Sequence, residues 1–281
     1  MDPKSIAEQL FFTTVRIDTD NGDGTSGSGT GFLFSYLDGD EEYPFVVTNK
    51  HVVNKAHSGW LSFLKRRDGM PSLGNGYRLA ISEWQDAWFG HPDESVDIAV
   101  CPFAPIEEHI KKTDGVDLYY RQVNSSMIPT PEQAAELDAV EMVTFIGYPN
   151  GIWDSKNLLP VARRGTTASP IEVDFENTPR FLIDASVFGG SSGSPVFILS
   201  QGSIASKSGG IKLGGSRFHF VGVVAAVFHR THLNEIISVP IPTQTQPMVV
   251  QQEMIDLGIV FKARTVSETI EEFLRQKGIR P

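Results

Sequence analysis

The apolar positions of this chain fall into short runs broken by Gly, Asn, Asp and Pro: residues 12–17, 31–35, 45–48, 140–146, 180–183, 195–199 and 218–228. Such runs, rich in Val, Ile, Phe and Thr and closed by turn residues, predict the strands of a sandwich or barrel rather than βαβ units. Helical spacing is confined to a few places. Residues 4–10 predict a short opening helix. Pro105 and Pro131 open the stretches 105–112 and 131–137, at a position that tolerates proline because its missing N–H would find no intrahelical partner there. Residues 265–277 set Val266, Ile270, Phe273 and Leu274 on one stripe, with acids early and Arg275 and Lys277 late. That order suits a helix dipole, and the helix is expected to pack back on the body. The weakest strand signals lie between Phe103 and Glu136, where the joint between two β subdomains is placed. Residues 199–216, rich in Gly and Ser, read as a long hairpin loop.

Composition narrows the picture. The 281 residues are 40 % hydrophobic and 21 % charged, ordinary values for a chain that buries a core. The formal charge of −10 argues against nucleic acid as a partner, because that affinity rests on Lys and Arg neutralising phosphates. Cys101 is the single cysteine, so no intrachain disulfide forms; inside an apolar run it reads as a small buried hydrophobe rather than a reactive thiol. No stretch reaches the ~18 apolar residues of a membrane helix, and residues 1–15 do not resemble a secretory signal. The expectation is a soluble, cytoplasmic protein with no membrane partner and no cofactor.

Three stretches suggest ligand chemistry and are read otherwise. Gly22-Asp23-Gly24-Thr25-Ser26-Gly27 matches GxGxxG, but the dinucleotide motif needs a helix straight after it, and a strand-like run follows. Asp18, Asp20 and Asp23 hint at calcium, yet the later ligands of such a loop are missing, so a solvated turn is favoured. His229, His232 and Glu235 could share a metal only on a helix, whereas the run they follow is strand-like. No metal site is expected.

Three further segments make chemical sense together. His51 follows the apolar run that ends at Thr48. Asp97 stands immediately before the apolar run 98–101. Gly189 to Pro195 read GGSSGSP. Acyl transfer by a serine needs a neutral imidazole to take the hydroxyl proton and a carboxylate to hold the ring's other nitrogen in one tautomer. It also needs backbone N–H donors for the tetrahedral oxyanion, and glycines let the chain curl tightly enough to aim them. GGSSGSP therefore reads as a nucleophile turn, with the Gly190 and Ser192 N–H groups forming the oxyanion hole. Asp97 is expected to be buried behind the His51 ring.

These residues carry a resemblance. Thr48-Asn49-Lys50-His51 resembles the T-A-A-H segment of trypsin-like (chymotrypsin-fold) serine peptidases, and Asp97-Ile98-Ala99-Val100 their D-I-A-L segment. Residues 184–195 are similar to the D-A-A-I-x-x-G-N-S-G-G-P block of the HtrA/Deg-like branch. The lead Gly27-Ser28-Gly29-Thr30-Gly31-Phe32, Gly147-Tyr148-Pro149-Asn150-Gly151 and Arg164-Gly165-Thr166 resemble that branch as well. The order His, Asp, Ser fits this fold and not the α/β hydrolases.

The resemblance implies an all-β chain of two six-stranded antiparallel barrels, a chymotrypsin-like double barrel, with a short C-terminal helix. The first barrel is expected over about 11–103, a linker over 104–138, the second barrel over 139–245 and a helical tail over 246–281, all one peptidase domain. It implies a serine endopeptidase with Ser192 as nucleophile, His51 as general base and acid, and Asp97 as orienting carboxylate. Ser186 would lie at the base of a neutral primary pocket, and Val224, Ala225 and Ala226 would pair with an extended protein or peptide substrate. Ser194 departs from the family's glycine. Ser191 replaces the aspartate through which digestive relatives are switched on, so N-terminal cleavage is not expected to be required. The tail is too short for the PDZ module of Deg-like proteins, which points to a stand-alone peptidase. The alternative is a catalytically silent protease fold that binds peptides or docks a partner.

Overall fold

The computed structural model describes residues 1–205, 207, 210–232 and 251–279. The chain opens with α1 (Ile6–Leu10), whose start is set by a capping box: the Ser5 hydroxyl accepts from the Glu8 N–H while the Glu8 carboxylate accepts from the Ser5 N–H. Three strands follow, β1 (Thr14–Asp20), β2 (Ser26–Asp38) and β3 (Glu41–Thr48), then the single helical turn α2 (Lys50–Val53). Next come β4 (Ser58–Arg67), β5 (Met70–Ile81), β6 (Phe89–Gly90) and β7 (Ala99–Pro102). In β1 burial alternates residue by residue, so Val15 and Ile17 point into the core while Arg16 and Asp18 point outward.

These strands form one sheet in the order β5-β4-β1-β2-β3-β7-β6. It curls around a core that includes Ile17, Leu33, Val46, Leu61, Trp84 and Phe103. The expected first barrel is thus present as a curled sheet with more than six strands. The expected linker adds to it. After α3 (Ala104–Asp114), the short β8 (Leu118–Tyr119) pairs with β4, and β9 (Val123–Asn124) pairs with β2 in parallel. α4 (Pro131–Ala135) then leads across, capped reciprocally by Thr130 and Gln133. Both prolines expected at helix starts lie in the first turn of their helices.

The second half is a closed six-stranded barrel. Its strands are β10 (Met142–Gly147), β11 (Val161–Thr167), β12 (Arg180–Asp184), β13 (Pro195–Ala205), β14 (Ile211–His232) and β15 (Gln251–Lys262), joined in the order β10-β11-β12-β15-β14-β13. Two sequence expectations are corrected here. Residues 199–216 are mostly strand, because β13 and β14 stay paired as far out as Ala205 and Ile211. The expected tail supplies β15, which lies between β12 and β14 and closes the barrel; only α5 (Arg264–Gln276) follows it as a helix. His229 and His232 lie on β14, which runs on past residue 228 where the expected strand stops, and Glu235 lies outside the described residues. No helix among the described residues is long and apolar enough to cross a membrane.

The two halves share one apolar cluster. Phe32, Phe34, Phe45 and Val47 of the first sheet meet Phe197, Phe220 and Phe261 of the barrel, and Val266, Ile270 and Leu274 of α5 cover them. The Phe220 ring sits 5.4 Å from Phe32 and 5.8 Å from both Phe34 and Phe197. These rings are fully buried, and their packing sets the relation of one half to the other.

Candidate active site

Strand pairing brings the first two site residues together. β3 and β7 are antiparallel neighbours, with Thr48 opposite Ala99. Following that register past the strand end carries the chain after Thr48 toward the residues before Ala99, which are Asp97 and Ile98. Asn49 keeps an extended backbone and starts α2, and this single turn swings His51 back over Asp97. The carboxylate is used twice: Oδ1 accepts the His51 backbone N–H at 3.0 Å, and Oδ2 lies 2.5 Å from the ring Nδ1. With a carboxylate at that distance, Nδ1 carries the hydrogen and Nε2 of the neutral ring presents a lone pair.

Asn49, wholly buried, donates from Nδ2 to the Asp97 carbonyl at 2.7 Å, so backbone and side chain of Asp97 are both tied to the β3–α2 corner. The loop before it is held by Asp93, whose carboxylate accepts from the Ser95 N–H and hydroxyl. Asp97 retains 27 % side-chain exposure. It is therefore partly buried, not enclosed as expected, because the corner covers it from one side.

The turn that carries Ser192 leaves β12 through Ala185 to Gly189 and enters β13 at Pro195. Gly190 and Gly193 both have positive φ, at 81° and 86°. A Cβ on Gly190 would stand 2.4 Å from the Tyr148 carbonyl, and one on Gly193 would stand 1.8 Å from the Thr30 carbonyl. Both glycines are thus required by conformation and by space. The turn is tied down on all sides. Asn150 N–H donates to the Gly189 carbonyl, Gly193 N–H to Val224 O at 2.8 Å, and Val224 N–H to Ser194 O at 2.9 Å. Thr30 N–H donates to Ser192 O at 2.9 Å, and the Thr30 hydroxyl to Gly190 O at 2.9 Å. Within this network the N–H groups of Gly190 and Ser192 donate to no acceptor among the described residues.

The Ser192 hydroxyl donates to the Ala225 carbonyl at 3.2 Å, and no hydrogen bond joins it to the His51 ring. His51 and Asp97 are therefore brought together, while the Ser192 hydroxyl is bonded from the barrel side. Ser191 is buried and its hydroxyl has no partner among the described residues. Ser194, the departure from the family glycine, fits because it faces Gly147, where a Cβ would stand only 2.1 Å from its hydroxyl.

The expected substrate segment is narrowed. Val224 is fully buried and both its backbone groups are taken by the turn, which corrects its assignment to substrate binding. Ala225 and Ala226 follow at a register irregularity opposite β15. Among the described residues, β14 from Val224 onward pairs only with β15, its ladder with β13 having ended at Val223, so that within them it has an edge beside Ser192. Ser186 is exposed. A cleft of about 1040 Å³ opens beside the turn, bordered by Asn150, Gly151, Trp153 and Arg16, but Ser186, His51 and Ser192 do not line it. Here hydrogen bonding, not concavity, places the Ser192 hydroxyl. The cleft still bears on the site: Arg16, paired with Asp18, donates to the Gly151 carbonyl at 3.2 Å and braces that turn.

Thr30, Asn49 and Asn150 are the residues that sequence reading passes over. Thr30 and Asn150 stand inside segments that resemble the family, but their partners lie far away in the chain, 160 residues in the case of Thr30 and Gly190.

Solved structures of similar fold include the Rv3671c protease from M. tuberculosis in its active form, at 16 % identity over 96 % of this chain and 87 % of that one, with a TM-score of 0.45. Deg5 is 18 % identical over 78 % of this chain and 81 % of its own, at a TM-score of 0.44. The protease Anisep from Arthrobacter nicotinovorans is 13 % identical over 94 % and 96 %, at a TM-score of 0.47. None of the curated protein sequences matches the chain. The family model of the trypsin-like peptidase domain matches residues 29–205, a span running from the lead into β2 through His51, Asp97 and Ser192 to the end of β13. The chain belongs to the trypsin-like peptidase domain family.

Proposed function

We propose that this protein is a serine endopeptidase that works through an acyl-enzyme, with Ser192 as nucleophile, His51 as general base and then acid, and Asp97 as orienting carboxylate. The observation that carries the reading is that the N–H groups of Gly190 and Ser192, on the turn that bears the hydroxyl, donate to no acceptor among the described residues. An oxyanion formed at that hydroxyl is an acceptor such donors suit.

In the proposed cycle the Ser192 hydroxyl leaves Ala225 O and donates to His51 Nε2. Catalytic hydrogen bonds are often loose or unmade before substrate binds. Oγ attacks the scissile carbonyl as Nε2 takes its proton, and the oxyanion lies against the two N–H groups. His51 then protonates the leaving amine, and the C–N bond breaks to leave an ester on Ser192. Water, deprotonated by His51, hydrolyses that ester and returns the proton to Ser192. Asp97 stays ionised throughout and stabilises the imidazolium. The substrate backbone adds as a strand to the β14 edge at Ala225 and Ala226; Ser186, exposed and outside the cleft, does not form the base of a primary pocket.

The bond from Ser192 to Ala225 O favours the second reading, a protease fold that holds peptides without cutting them. Labelling by a fluorophosphonate probe separates the two. The expected result is one adduct on Ser192, lost in Ser192→Ala and in His51→Ala. A folded chain that neither labels nor cleaves a proteome-derived peptide library would establish the silent module instead.

A further inference from the structure

We propose that Thr30 is a positioning residue, whose hydroxyl holds the Gly190 peptide in the orientation that aims the oxyanion donors. This rests on the serine-peptidase reading. Thr30 lies on β2, in the half opposite Ser192, and is fully buried. Every polar group it has is used. Its N–H donates to Ser192 O at 2.9 Å, and its carbonyl accepts the Thr48 hydroxyl at 2.7 Å. Its hydroxyl accepts the Tyr148 N–H at 3.0 Å and donates to Gly190 O at 2.9 Å. Because Tyr148 supplies a donor, the hydroxyl proton is directed to Gly190.

Gly190 has two flanking peptides. The first, whose N–H is the proposed oxyanion donor, is held at its carbonyl by Asn150 N–H. The second is held at its carbonyl by the Thr30 hydroxyl and at its N–H by the Phe188 carbonyl. A glycine with positive φ has a wide range of alternatives, so these bonds together decide which way its N–H points, and the Thr30 hydroxyl is the one supplied from the other half. The Thr30 hydroxyl thereby joins three segments: β2, the Tyr148 turn and the Ser192 turn. Thr48, which bonds the Thr30 carbonyl, stands three residues before His51, so the same residue links both sides of the site. Space permits little else. A Cβ on Gly147 would stand 2.5 Å from the Thr30 hydroxyl, and one on Gly193 would stand 1.8 Å from its carbonyl.

The test compares Thr30→Val, Thr30→Cys and Thr30→Ser in the full chain. Valine keeps the shape and removes the donor, cysteine keeps a weak one, and serine keeps the hydroxyl. Thr30→Val is expected to lower kcat about 100-fold with KM little changed, the scale of a misaimed catalytic group. Thr30→Ser restores most of that loss and Thr30→Cys falls between. Full kcat in a folded Val variant, or a Ser variant as slow as Val, overturns the proposal. Where Val does not fold, a Cys variant as active as Ser overturns it. Hydrogen exchange across residues 188–194 gives a readout independent of turnover: faster exchange in Val or Cys supports the clamp, and unchanged exchange refutes it. If wild type neither labels nor cleaves, the peptidase reading fails, and exchange alone still decides the role of Thr30.

Discussion

The two sides of the site are held in different ways. His51 and Asp97 stand at the ends of neighbouring strands of one sheet, and the β3–β7 ladder that pairs Thr48 with Ala99 leads directly into their contact. Ser192 belongs to the other half, and its hydroxyl is bonded within its own barrel, to Ala225 O. The first arrangement is a local product of strand register. The second depends on docking one half against the other, through the phenylalanine cluster, α5 and Thr30. The imidazole–carboxylate pair is thus complete in the fold, while the Ser192 hydroxyl is bonded within the barrel and not to the ring.

Three experiments probe this difference. The largest effect is expected from Asp97→Asn, which disturbs the first side alone. An amide at that place no longer holds Nδ1–H, so the ring takes the wrong tautomer, and kcat should fall about 10⁴-fold while the chain stays folded. A loss below tenfold, measured on any peptide the wild type cleaves, would show that the carboxylate does not orient the ring. Ile270→Ala acts on the docking instead. Ile270 is fully buried where α5 covers both halves, and deleting such a side chain costs about 2–5 kcal/mol. Denaturant unfolding should show that loss. Fluorophosphonate labelling per folded molecule should fall as well, whereas the His51–Asp97 contact should survive, as read from the downfield Nδ1 proton. Intact labelling with full destabilisation would mean that α5 stabilises the chain without setting the nucleophile. The smallest effect concerns the first sheet by itself. Cys101 on β7 is buried, and burial pushes its thiol up to about 12. At pH 8 it stays protonated and inert. Iodoacetamide should leave the native chain unmodified and add one group after denaturation; rapid native labelling would show that this core opens.

Much of the site was legible because its signals are short. The glycines of GGSSGSP, the histidine after an apolar run and the aspartate before another are local features, and the first two sit where the turn and the β3–α2 corner require them. The helices were legible for the same reason, from residues 4–10, from Pro105 and Pro131, and from the stripe along α5. The extent of the strands was not. Residues 199–216 look like a Gly/Ser loop until β13 and β14 are seen to pair through it. Val224 looks available to a substrate until its N–H and carbonyl are found in bonds to Ser194 and Gly193.

The sequence by itself picked out residue types suited to acyl transfer, the nucleophile-type turn and the helix starts, because propensity, proline placement and glycine freedom act over a few residues. Only the tertiary structure decided that residues 251–262 close a barrel, that Thr30 bonds to Gly190, and that Ser192 rests on Ala225. Each of these is a pairing between groups far apart in the chain, and such pairing depends on register and packing that no local pattern encodes.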